Sequence, residues 1–171
     1  TKKLKQAATQ RRDAWNDWTG SSTRIGETGG EAYLESQGYH IPDEFLSQNN
    51  GTAPGGWLDG MAVSPNGDEI VISEYKGVTA NLDSSPRPTL YEGSAKQGAP
   101  AYTRDRMLSD PRFAQYFHDH PDVWEGVKSG DTKLTIKVMK TKTEDLTQIT
   151  DEPFTLTPEV IQHLQQSIDN L

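Results

Sequence analysis

Asp59, Glu74 and Lys76 are the residues whose types and spacing point to chemistry, because the chain between them is written to fold back on itself. Asn66-Gly67 is the strongest short-range signal for a tight hairpin turn, and it stands between two apolar runs, Met61-Ala62-Val63 and Ile70-Val71-Ile72. With Pro65 facing Asp68, Val63 falls opposite Ile70, Met61 opposite Ile72 and Asp59 opposite Glu74. A symmetric four-residue loop keeps the same register.

Side chains alternate along a strand, so Met61, Val63, Ile70 and Ile72 share one apolar face, and Asp59, Glu74 and Lys76 extend it at the far end. Directly opposed residues have Cβ atoms roughly 4.5–5.5 Å apart, and like charges held that close are destabilising unless compensated. A divalent cation compensates them. Hard cations such as Mg²⁺ take oxygen ligands, typically one or two carboxylates, and complete their shell with water and phosphate oxygens. An ammonium at Lys76, on the same face, is placed to hold the attacking water or to stabilise charge on phosphorus. Together these groups point to phosphodiester chemistry. The plainer reading of alternating acidic and basic residues is an exposed cross-strand ion pair. Against it stand the opposition of the two acids, the apolar face they share, and the reverse side, where Gly60, Ala62 and Val71 suit close packing by a helix.

Leu58-Asp59, a hairpin, then Glu74-Tyr75-Lys76 resembles the PD-(D/E)XK nuclease superfamily, and its restriction-endonuclease-like toxin domains in particular. The similarity spans approximately Thr28 to Leu108. In that family a helix carrying a Glu precedes the hairpin, the Asp and the (D/E)-X-K bind metal and activate water, and a further helix follows. Residues 29–39 read as a short helix closed by Gly38 at its C-cap. Glu31 is the better match to the family's helix acid, with Glu35 one turn later on the same face as the alternative. The run Lys96-Gln97-Gly98-Ala99-Pro100-Ala101-Tyr102 resembles the Gln-containing helix start of many toxin members, where the Gln lines the active site. An exposed polar residue at a helix N-terminus is the other reading of Gln97. Leu58 stands where many members have Pro, which loosens the motif but removes no chemistry.

The resemblance implies a restriction-endonuclease-like α/β (α+β) fold, with a central mixed sheet flanked by helices and extra N- and C-terminal helices. It implies a catalytic set of Glu31, Asp59, Glu74, Lys76 and Gln97, with Mg²⁺ (or Mn²⁺) held by Asp59, Glu74 and Glu31. Lys96, Tyr102 and Arg104 are the candidates for substrate contact. For Arg104 and Arg106, on different faces of their helix, a phosphate contact and a surface ion pair are both open. The implied activity is endonucleolytic cleavage of DNA in target bacteria, with tRNA cleavage as the alternative. A non-catalytic module whose acidic rim contacts a protein is the reading from another class. The resemblance further implies the C-terminal domain of a secreted or cell-surface toxin of the polymorphic or contact-dependent growth inhibition kind, acting in the target-cell cytoplasm, with a cognate immunity protein as partner.

A chain of 171 residues is ordinary for one domain, and a domain of that size can bury its core without staples. The expected division is an N-terminal helix or linker over 1–24 and a single domain over 25–171. Cysteine is absent, which excludes a disulfide framework, a Cys-based zinc site and a thiol nucleophile. No apolar run approaches the length of a bilayer span, and the opening residue, Thr1, suggests a piece of a longer polypeptide.

The net charge of −8 is unlike that of a simple nucleic-acid binder, so distribution matters more than sum. Residues 1–24 carry six Lys/Arg against Asp13 and Asp17, and residues 131–143 carry Lys133, Lys137, Lys140 and Lys142 against Asp131. Both are equally readable as solvated surfaces. Residues 25–60 hold Glu27, Glu31, Glu35, Asp43, Glu44 and Asp59 with no Lys or Arg. Such a protein grips backbone phosphate only through local basic surface and searches DNA poorly at physiological salt.

Pattern predicts the remaining elements: an amphipathic helix from Leu4 to Trp18, a loop from Pro42 to Gly56, and an exposed loop over 78–94 that could clamp substrate. Helices are expected over Ala101–Leu108 and Pro111–His118, a strand over Lys133–Lys142, and a helix opened by Thr157-Pro158-Glu159 and running to Leu171. His118 and His120 sit two apart at a helix end, on different faces, without a third ligand nearby in sequence. No nucleophile elbow, phosphate-binding Gly-rich loop or dinucleotide fingerprint is present.

Overall fold

The computed structural model of the chain describes residues 26–47, 54–77, 81–142 and 145–171. The expected segment 1–24, with its helix and basic charge, lies outside the described residues, as do Asn49, Asn50 and Gly51 of the loop before the hairpin. The described residues form a mixed α/β fold, with helices around a four-stranded sheet.

Helix α1 covers residues 26–36 and stops at Gly38, whose φ of +85° is cheap for glycine alone and lets the Tyr39 N–H turn back to the Leu34 carbonyl at 3.0 Å. His40 then exchanges two 2.8 Å backbone hydrogen bonds with Val63, a single antiparallel bridge on the outer side of the hairpin. The hairpin itself is β1 (Gly60–Val63) and β2 (Glu69–Lys76), paired Met61 to Ile72 and Val63 to Ile70 as the turn signal required. Its connection is the four-residue loop, closed by Ser64 N–H on the Glu69 carbonyl and Gly67 N–H on the Ser64 carbonyl, both 2.9 Å.

The chain then leaves the sheet for a two-stranded ribbon, β3 (Arg87–Pro88) and β4 (Ser94–Ala95), followed by helices α2 (Pro100–Ser109), α3 (Pro111–Asp119) and α4 (Pro121–Ser129). The ribbon begins inside the expected exposed loop, 78–94, and ends one residue beyond it at the buried Ala95. This long crossover is what a parallel neighbour requires, and β5 (Lys133–Lys142) accordingly lies parallel to β2, placing Val138 beside Glu74 and Lys140 beside Lys76. β6 (Asp145–Phe154) returns antiparallel to β5 as the edge strand, giving the order β1-β2-β5-β6, and α5 (Pro158–Asp169) follows, capped by Thr157. α4 and β6 add to the expected elements. In α4 the interior Gly126 obscures the helical pattern, yet a Cβ there would meet Thr132 Oγ1 at 2.3 Å, so close packing requires the glycine. In β6 the acids and Pro153 suit an edge position and mask the strand.

The hairpin strands β1 and β2 are buried on both faces, as a strand with a parallel neighbour demands, while the edge strand β6 is exposed over 150–153. On one side α1 packs against the Tyr75 ring, where a Cβ at Gly30 would lie 2.2 Å from Tyr75 Cδ1 and one at Gly60 2.8 Å from its hydroxyl. The opposite face carries Met61, Ile70, Ile72 and Ile136, all buried, and Glu74 continues that row. Gly98, just before α2, lies over Val138 of that face.

Gly30→Ala is expected to destabilise the fold. The methyl adds helix propensity worth about 1 kcal/mol, but forcing it into the fixed Tyr75 ring costs roughly 1–3 kcal/mol. The clash outweighs the propensity, and the midpoint of urea unfolding should fall.

Candidate functional site

Asp59 sits at the strand entrance, one residue before β1, and its position is fixed from both sides. Beyond the last paired residues, Gly60 and Ser73, the Asp59 side chain takes the place of a backbone acceptor: its Oδ2 receives the Tyr75 N–H at 2.9 Å. The preceding residue is clamped by α3. Leu58 N–H donates to Asp110 Oδ2 at 3.2 Å, and the Leu58 carbonyl accepts from Arg112 Nη2 at 2.7 Å.

Asp110 and Arg112 form a two-pronged pair, Nε to Oδ1 at 2.9 Å and Nη2 to Oδ2 at 2.7 Å, with Asp110 fully buried. The guanidinium lies between the rings of Phe45 and Trp57, at 4.6 and 4.7 Å from their centroids. Asp110 also caps α3, accepting from the Arg112 N–H. Buried charges survive when every lone pair and proton is used, and here the spare capacity is directed at the backbone of Leu58. Sequence reasoning did not find this pair. Its one local signal is Asp110 before Pro111, the mark of a capped helix start.

Glu74 is 2 % exposed. Its Oε2 accepts from Gln97 Nε2 at 2.9 Å, and Gln97 Oε1 in turn accepts the Asp83 N–H at 2.9 Å, so the Gln is locked by both ends of its amide. Burial first, then the charge of Asp59, push the Glu74 carboxyl well above the usual carboxylate range. Lys76 opposes the rise, a hydrogen bond between the two carboxyls adds to it, and the Gln97 bond works against it. Asp59, Glu74, Lys76 and Gln97 are therefore one electrostatic cluster, at the end of the apolar row where the hairpin register puts them.

Glu31 is placed on the Tyr75 side of the sheet. Its Oε1 accepts the Ser47 N–H at 2.8 Å, and with Asp59 and Glu27 its charge adds to the burial that raises the Tyr75 hydroxyl pKa. Asp59 is thus the acid that acts on both faces of β2. Glu35 is exposed. Among the described residues no group of three or more His, Cys, Asp or Glu is arranged to hold a metal ion. The histidines at the end of α3 are turned elsewhere: His118 Nδ1 meets Asp119, and His120 stacks on Tyr116 at 4.1 Å.

Of the candidates for substrate contact, Arg104 is engaged within the fold, bound at Nε and Nη2 to the two Glu92 oxygens at 2.8 and 2.6 Å and to the Thr155 carbonyl at 2.9 Å. That pairing holds the Glu92 carboxyl below its ordinary range. Lys96 is exposed beside Gln97. Tyr102 lines a cavity next to Gln97, where the residue that accompanies it is Arg106. No helix among the described residues is long and apolar enough to cross a membrane.

A carboxyl whose folded pKa is raised costs stability as pH climbs from its unfolded value through its folded one. Glu74→Gln, which keeps an acceptor for Gln97 and offers a donor to Asp59, should therefore raise the melting temperature at neutral pH, with the gain shrinking in acid. Arg112→Met leaves Asp110 buried and unpaired and should cost about 3–5 kcal/mol in urea unfolding.

Compared with known proteins, the chain matches no family model, no curated protein and no solved structure.

Proposed function

We propose that the chain is a metal-dependent nuclease of the PD-(D/E)XK kind. The observation that carries this reading is the convergence of Asp59, Glu74, Lys76 and Gln97 at the open end of the hairpin, with Glu74 buried against a second carboxylate. The order of elements agrees with the resemblance: a helix bearing Glu31, the hairpin, a helix after Gln97 and a later strand beside β2.

The donor set fits a hard cation. It offers carboxylate oxygens without a soft ligand, and the Asp59 charge, which adds to burial in raising the Glu74 pKa, is what a divalent cation offsets. Asp59 and Glu74 would hold Mg²⁺ or Mn²⁺, leaving positions for water and phosphate oxygens, whereas Glu31, on the Tyr75 side of the sheet and bonded to the Ser47 N–H, stands apart from that pair. The bound cation would supply positive charge to the phosphate and acidify water. Lys76 orients the attacking water and offsets charge on phosphorus. Gln97 holds the Glu74 carboxylate in one rotamer, and the Tyr75 N–H does the same for Asp59.

On the resemblance, DNA is the proposed substrate, and a toxin domain neutralised by an immunity protein is the proposed context. The net charge of −8 favours one specific folded substrate over indiscriminate search, which keeps tRNA as a second substrate to test.

The test is digestion of plasmid DNA and total tRNA side by side in Mg²⁺, with EDTA as control. Asp59→Asn keeps an acceptor for Tyr75 while removing the charge, and Lys76→Met removes the ammonium. Each should slow metal-dependent cleavage by roughly 10²-fold or more without loss of folding. Intact substrates in every lane would favour a non-catalytic binding module.

A further inference from the structure

Gln97 is shared between two compartments. Its amide nitrogen holds Glu74, while the same side chain forms a wall of a cavity of about 280 Å³ that is also lined by Gly56, Asp83, Arg87, Tyr102 and Arg106. Its lining carries two guanidinium groups, Arg87 and Arg106, against one carboxylate, Asp83. Arg106 lies over the Tyr102 ring, 4.9 Å from its centroid, which orients the guanidinium plane. Among the described residues its buried Nε has no hydrogen-bond partner, and its acidic neighbour within ion-pair range is Asp105, at 3.8 Å. A Cβ on Gly56, another lining residue, would stand 3.6 Å from Arg106 Nη1, so the terminal nitrogens are the donors that an anion in the cavity would meet. At the mouth, Arg87 is exposed and paired with Asp83 at 2.9 Å. Arg104, two residues from Arg106, is spent on Glu92 and Thr155.

We propose that this cavity is a phosphate subsite for the polynucleotide, in which Arg106 grips a backbone phosphate beside the scissile one and Arg87 guides it in. The inference rests on the nuclease reading and deepens it. A guanidinium presents a planar fork that matches two phosphate oxygens, whereas an ammonium offers a point charge. Contact with the Tyr102 ring restrains the Arg106 guanidinium at the cavity wall. Gln97 then couples the two places mechanically, since a phosphate seated on Arg106 lies against the residue that sets the Glu74 rotamer.

The test measures binding without cleavage: fluorescence anisotropy of labelled single-stranded DNA and RNA oligonucleotides on the full chain in EDTA, over a series of salt concentrations. Arg106→Gln should weaken binding about tenfold and flatten the log–log salt slope by about 0.7, the loss of one phosphate contact. Arg106→Lys should keep the slope and recover part of the affinity. Should Arg106→Gln fail to fold, Arg87→Gln, at an exposed position, carries the same expectation in smaller measure. Unchanged affinity and slope in the folded variants overturn the subsite, as does binding of inorganic phosphate without any binding of oligonucleotide. Cleavage with Arg106-independent binding would sink the subsite and leave the nuclease standing. Arg106-dependent binding without cleavage would do the reverse.

Discussion

The arrangement around Glu74 depends on a constraint some residues away, the grip of the Asp110–Arg112 pair on both backbone polar groups of Leu58. β1 is short, four residues, and a strand of that length does not by itself fix the backbone that leads into it. Here the lead-in is held by a fully buried ion pair, capped onto α3 and flanked by two aromatic rings. That pair joins the hairpin entrance to the helical layer. The separation of Asp59 from Glu74 is therefore set by helix packing as much as by strand pairing.

The cluster stores electrostatic strain, and the fold contains it rather than relieving it. Two carboxyls share one end of a buried row, with Lys76 and Gln97 pulling against the cost of burial. A folded protein keeps such a pair only where surrounding structure over-determines it, and here the restraints are many: the Tyr75 N–H on Asp59, the doubly bonded Gln97 amide, and strands on both sides of β2. α1 contributes from the other face, since its glycines let the backbone settle onto Tyr75 and Thr141.

What could be read from the sequence was local. Asn66-Gly67 and the apolar alternation gave the hairpin register, and from it the position of Asp59 near Glu74. Gly38 gave the end of α1, and the proline-led starts of α2, α3 and α5 were visible as such. Non-local information was missing. The Asp110–Arg112 clamp reaches Leu58 across more than fifty residues of chain, and no spacing rule records that. Arg104, the candidate for substrate contact, is likewise occupied by Glu92 and Thr155, to which no local spacing connects it. α4 was hidden by a glycine whose reason is a tertiary contact with Thr132, and β6 by an edge position that tolerates acids and proline.

Asp59 closes the ladder with a side chain where a backbone carbonyl would ordinarily stand. Alignment of the two strands and assembly of the carboxylate cluster are consequently a single event. A hairpin slipped by one residue exchanges the two buried faces of a strand, withdraws the acceptor from Tyr75 and separates Asp59 from Glu74 at once. Mispaired molecules thus lack the cluster entirely rather than carrying a distorted one, so proofreading of the site is built into the pairing of β1 with β2.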